Sequence, residues 1–146
     1  MNVETRVKVM ESMYVHALVD SVKHYGQQGV LDSVIENKKK VQLVMGKKHA
    51  EQFGITKPED VFAVLSSIFN CTSWEIGEIN HGFQAKAKRC SLCACAKKVG
   101  TESPCDIYCL NPMEGMIKGI NPQLNFKVNK TLWCNDECIV SVTEEV

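Results

Sequence analysis

Ser73-Trp74-Glu75-Ile76-Gly77-Glu78-Ile79-Asn80-His81-Gly82-Phe83-Gln84-Ala85-Lys86-Ala87-Lys88-Arg89 is the stretch on which the fold turns. Before it, apolar residues recur every three or four positions; within it they alternate with polar ones. Trp74 and Ile76 start the alternation, Asn80-His81-Gly82 is a turn signal, and Phe83, Ala85 and Ala87 resume it. The pattern predicts an antiparallel hairpin, 73–79 with 83–89. Ala85 and Ala87 are small for inward positions, so either a neighbour packs close to them or a cavity is left.

Upstream the reading is helical. Val3, Val7, Met10, Tyr14, Ala17, Leu18, Val22 and Tyr25 form one apolar stripe, and Gly26 and Gly29 supply a stop. A second helix is expected from Leu31 to Phe53, with Gly46 as a place to kink. Lys38, Lys39 and Lys40 read as a solvated face. Thr56-Lys57-Pro58-Glu59 has capping-box spacing, and Val61, Val64, Leu65 and Ile68 follow at i, i+3, i+4 and i+7.

Downstream, Ser91 is the expected cap of a short helix that Gly100 stops. Ser103-Pro104 opens another, which Pro112 should break or bend. Leu124, Phe126 and Val128, then Cys138, Val140 and Val142, alternate as a second hairpin turning at Asn135-Asp136. The expected fold is therefore α+β: N-terminal helices packed on one face of a four-stranded antiparallel sheet made of two hairpins separated by two short helices. One domain over 1–146 is expected, with a helical half, 1–72, and a cysteine-rich ββααββ half, 73–146.

Composition narrows the function. The chain has 146 residues, 45% hydrophobic and 23% charged, with 17 basic and 17 acidic residues. That charge balance argues against a nucleic-acid partner, whose phosphates demand a basic excess. No run approaches a membrane span and no uninterrupted apolar leader opens the chain, so a cytoplasmic protein is expected. The partner class left is a small-molecule ligand or substrate, and the stripe of the first helix is long enough to serve a homodimer.

The unusual figure is eight cysteines. Seven fall within Cys90–Cys138: Cys90, Cys93, Cys95, Cys105, Cys109, Cys134 and Cys138. In a reducing compartment such clustering points to metal or to chemistry more than to structural bridges. Cys90 and Cys93 have knuckle spacing at a strand-to-helix junction, where a helix N-terminus favours thiolates. Cys105 and Cys109 are i, i+4 on one helix, and Cys134 and Cys138 have equal parity across a turn. If the hairpins join in one sheet, the seven can converge as ligands of zinc, Cu(I) or an iron–sulfur cluster. Buried hydrophobic thiols and a Cys134–Cys138 disulfide are the alternatives, and Cys71, apart at a helix end, reads as a core residue. The four histidines, His16, His24, His49 and His81, lack metal-ligand spacing among themselves.

Arg89-Cys90 after an alternating strand, a cysteine nineteen residues on at Cys109, Gly119-Ile120-Asn121-Pro122-Gln123-Leu124, Lys130-Thr131-Leu132 and the closing Cys138 form a recognisable series. Over roughly its last 60 residues the chain resembles the L-2-amino-thiazoline-4-carboxylic acid hydrolase family. The layout is also similar to 4-vinyl reductase domains. The resemblance implies hydrolysis of a cyclic C–N bond in a cysteine-like heterocycle, and Cys90, Cys109 and Cys138 map onto its pattern. Cys134 stands where that pattern has glycine, and Cys93, Cys95 and Cys105 are additional.

Two functions follow as expectations. In a hydrolase, Cys90 is the candidate catalytic nucleophile, and Glu102, Asp106 and His81 are candidate bases. In a sensor, the seven cysteines hold a metal or iron–sulfur centre, or report redox state.

Overall fold

The computed structural model describes residues 1–145. Three helices come first, α1 (Val3–Gln27), α2 (Leu31–Gln52) and α3 (Pro58–Phe69). The chain then forms β1 (Glu75–Ile79) and β2 (Gly82–Ala87), α4 (Ser91–Val99), a π-helical turn (Asp106–Leu110) running into α5 (Asn111–Ile120), and finally β3 (Leu124–Lys130) and β4 (Cys138–Glu144). The strands form one antiparallel sheet in the order β1-β2-β4-β3, so the two hairpins join through β2 and β4. The α+β architecture expected from the sequence is the one observed.

The alternation places the sheet's inner face. Phe83 and Ala85 on β2, Val140 and Val142 on β4 and Leu124 on β3 are buried against Val61 and Phe62 of α3 and Met113, Met116 and Ile117 of α5. Burying side chains of this size against each other is worth about 1.5–3 kcal/mol apiece, which holds α3 and α5 on the sheet. Phe62 is the pivot, edge-on to both Trp74 and Phe83 with ring centroids 5.1 and 5.8 Å away.

α2 covers the outer side of α5, and glycine makes that crossing. A Cβ on Gly46 would overlap the Gly115 carbonyl, one on Gly115 the Gln42 carbonyl, and one on Gly119 the backbone of Lys47. Gly46 is thus no kink; it lets two helix backbones touch. α1 packs on α4 and α2 through Val15, Leu18, Val19 and Val22. The N-terminal part of the same stripe is bare: Val3, Val7 and Met10 are 74%, 46% and 58% exposed.

Three local expectations are corrected. α3 starts at Lys57-Pro58 with no side-chain cap, because Pro58 takes the first helical position and leaves Thr56 one residue too early for a capping box. Pro112 does not break its helix. Its missing N–H and its ring are accommodated by the wider π turn just before it, where the Asn111 N–H reaches back to the Asp106 carbonyl. The last connection is a seven-residue loop, 131–137, not a tight turn at Asn135-Asp136. Trp133 in that loop lies under Lys97, 5.5 Å from ammonium to ring centroid.

Candidate thiol site

β2 ends at Ala87 and the chain passes Arg89 to reach α4. Cys90, not Ser91, is the cap: its Sγ accepts from the Cys93 N–H at 3.5 Å. Asn70, in the left-handed region at φ 50°, ends α3 and returns the chain alongside this junction. Thr72 then bridges antiparallel to Cys90, its hydroxyl donates to the Arg89 carbonyl, and Ser91 N–H donates to the Cys71 carbonyl at 2.8 Å. This short backbone match sets the Cys71 thiol beside the Cys90 sulfur.

Cys90 is thereby activated. The Cys71 S–H, then the Cys93 S–H and the backbone N–H groups of Cys93 and Leu92 hold its thiolate, down to about 3, against the opposing cost of burial. Cys71 moves the other way, because it keeps its proton to donate to Cys90. Cys93 touches a second sulfur: its Sγ is 3.4 Å from Cys105 Sγ. That contact, then the one with Cys90, pushes Cys93 up, and Cys105 is lowered by Cys93 and by the Ser103 hydroxyl. Cys93 has a single proton, so it serves one of its two neighbours at a time. Cys90, with Cys71 and two amides as well, is the stable thiolate. Burial pushes Cys109 up, and pushes Cys138 up to about 11.

Two cavities meet at Cys90. The larger, about 80 Å³, lies between α1, α3 and the π turn and carries four aromatic rings, Tyr14, Phe69, Trp74 and Tyr108. Tyr14 stacks on Phe69 with centroids 5.0 Å apart and an interplanar angle of 8°. Burial first, then Tyr108 and Cys71, raises the Tyr14 hydroxyl. The Tyr108 hydroxyl meets Ser21 Oγ. The smaller cavity, about 30 Å³, holds one water-sized occupant and is walled by Cys90, Cys93, Cys105, Cys109 and Cys138. Ala87 lies opposite Cys138 in the sheet register and supplies the space that the small inward residues foretold. Thr72, Trp74, Cys90, Leu92 and Cys109 line both spaces.

The structure thus brings together five of the seven cysteines singled out from sequence and adds Cys71. It leaves two outside. Cys95 packs against the Val19, Leu92 and Ala96 cluster on the α1 side, and Cys134 is exposed in the 131–137 loop. All eight thiols are free, so there is no Cys134–Cys138 disulfide. Among the described residues, no group of three His, Cys, Asp or Glu side chains is placed to hold a metal ion. The five sulfurs line a wall, in donor–acceptor contact or spaced along it, without converging on one point. The candidate bases are elsewhere: His81 is in the β1–β2 turn, Glu102 sits against Gly26 of α1, and Asp106 is exposed. Among the described residues, the only ionisable groups lining either cavity are thiols and phenols.

A thiolate at a helix N-terminus, beside a cavity walled by aromatic rings, is an environment in which a cysteine can serve as a nucleophile. A family model described as L-2-amino-thiazoline-4-carboxylic acid hydrolase matches residues 7–138, and the chain belongs to that family. The match takes in the helical half as well as the cysteine-rich one, so it reaches well beyond the last 60 residues that carry recognisable motifs. Comparison with curated proteins finds no match. No helix among the described residues is long and apolar enough to cross a membrane.

Proposed function

We propose that the chain hydrolyses the amidine carbon of a small, flat heterocycle of the 2-amino-thiazoline type, with Cys90 as nucleophile. The observation that carries this is the Cys90 sulfur, capped by α4 and fed by Cys71, in the wall shared by both cavities. The thiolate adds to the C=N carbon. The ring nitrogen takes a proton, for which Cys71 is the nearest source, and the ring C–N bond breaks. Water then attacks the carbon left on sulfur, expels the Cys90 thiolate and yields the ring-opened carbamoyl product.

The walls also select charge. No Lys, Arg or His lines either cavity, so a carboxylate would lose its water beside a thiolate and gain no cation. An amidinium is attracted both by the thiolate and by the aromatic faces. The favoured substrate is therefore a neutral or cationic ring lacking the carboxylate of the family's namesake. The test is incubation with 2-amino-2-thiazoline and with its 4-carboxylate, following addition of one water by mass spectrometry. Turnover of the first, lost in Cys90→Ser, supports the reading; no ring opening in either overturns it.

One observation favours a second reading, a non-enzymatic metal, iron–sulfur or redox module similar to 4-vinyl reductase domains: the absence of imidazole and carboxylate from the cavity walls leaves little to activate water. In that case Cys90, Cys93, Cys105, Cys109 and Cys138 would have to draw together from the wall they line to become ligands. Elemental analysis and a visible spectrum of anaerobically purified protein decide it: a stoichiometric metal without turnover means the sensor.

A further inference from the structure

The Cys93–Cys105 contact is left unused by Cys90 chemistry. The two sulfurs belong to different elements, the first turn of α4 and the residue that leads into the π turn, and they meet at 3.4 Å. Neither is one of the three cysteines that map onto the family's motif series. The pair is also asymmetric. Cys93 is 6% exposed, while Cys105 is half-buried and has the Ser103 hydroxyl beside it. A reactive, partly accessible sulfur touching a buried one is the layout of an attacking and a resolving thiol. Side-chain rotation alone must bring them from contact to the ~2.05 Å of a bond.

We propose that Cys93 and Cys105 are a reversible redox pair, closed to a disulfide by a hydroperoxide. The Cys105 thiolate attacks the terminal peroxide oxygen. The O–O bond breaks, the alkoxide leaves and takes a proton from solvent, and Cys105 becomes a sulfenic acid. The Cys93 sulfur attacks that sulfur, the S–O bond breaks, and hydroxide departs with the Cys93 proton as water. Two electrons leave the thiols, and the peroxide is reduced to alcohol and water. The inference stands on sulfur geometry and needs no hydrolase activity.

The test uses the full reduced chain, freed of reductant and given one equivalent of hydrogen peroxide. Remaining thiols are blocked with N-ethylmaleimide under denaturing conditions and the linkage is mapped by fragment ions. The expected product joins Cys93 to Cys105, is undone by dithiothreitol, and is absent from Cys93→Ser and Cys105→Ser. Because the mapping is done on the unaltered chain, a variant that fails to fold leaves the result intact. A Cys90–Cys93 or Cys71–Cys90 linkage instead, or sulfinic acids with no linkage, overturns the pair.

Discussion

Two faces of one helical segment are built to opposite rules. Where α5 crosses α2, Gly115 and Gly119 meet Gln42, Gly46 and Lys47 with no side chain between the backbones. Where the same segment turns toward α1 and α3, Tyr108, Cys109, Pro112 and Met113 border open space. The first face sets backbone against backbone; the second keeps about 80 Å³ and, behind Cys109, about 30 Å³ more. Protein interiors rarely leave such voids, because each lost contact costs dispersion energy. A hollow wall is tolerable here because the segment is clamped from the other side. The π turn also belongs to the hollow side: it accommodates Pro112 and carries Tyr108 and Cys109 into the cavity wall.

The hardest blow to this contrast is to prop the closed face open. Gly46→Ala adds a methyl that overlaps the Gly115 carbonyl, and backbone cannot rotate away as a side chain can. The gain in helix propensity, about 1 kcal/mol, is far too small to compensate. A loss on the order of 5 kcal/mol is expected, read as the fall in the urea midpoint; such a loss lies in the exceptional range for one substitution.

The hollow face should answer differently. Cys90→Ser keeps a good N-cap, so the fold should survive and lose only what the Cys71 and amide contacts gave the thiolate. Ring opening should fall by a factor on the order of 10³, about 4 kcal/mol in the barrier, because a serine there has no base to ionise it. Equal loss of stability and turnover would mean that this face is structural too.

A third, smaller effect lies in alkali. Cys138, opposite Ala87 at the small cavity, is held up to about 11 by burial. Its folded pKa is above its unfolded one, so its contribution is complete below about pH 8.5 and is lost as pH rises toward 11. About 2–3 kcal/mol should disappear over that window. The Cys90 contribution runs the other way: it is lost as pH falls through about 3 and is already complete in alkali, so it does not cancel this slope. Cys138→Ala should flatten the unfolding free energy between pH 9 and 11 relative to the unaltered chain.

The closed and hollow faces were unequally legible in the sequence. Val61, Val64, Leu65 and Ile68 announce α3, and Phe83, Ala85 and Ala87 announce both a strand and the room beside it, because local periodicity is what a helix face or a pleat records. Gly46 suggested only a kink, since nothing local says that Gly115 will lie against it. Cysteine density singled out seven thiols between Cys90 and Cys138; the structure gathers five of them around one cavity and adds Cys71. Cys95 follows Cys93 by two residues, about 200° around the helix, and so faces α1. Cys134 lies in a loop where strand parity has no meaning. Cys71 reaches Cys90 through the Thr72 bridge, a tertiary pairing that composition at a helix end does not show.

That last residue gives the finest test of which thiols belong to the site. Cys71 donates to Cys90, while Cys95 sits on the far side of α4 among apolar residues. Cys71→Ala removes the donor and leaves the α4 amides, so the Cys90 thiolate survives with less support. The midpoint of its iodoacetamide labelling against pH should rise by roughly one unit, or about 1.4 kcal/mol of thiolate stabilisation. Cys95→Ala should leave that midpoint in place, because its side chain faces neither cavity. If the two variants move it alike, α4 is responding as a whole and Cys90 owes its state to the helix terminus alone. If only Cys71→Ala moves it, the hollow face is organised by a residue nineteen positions upstream.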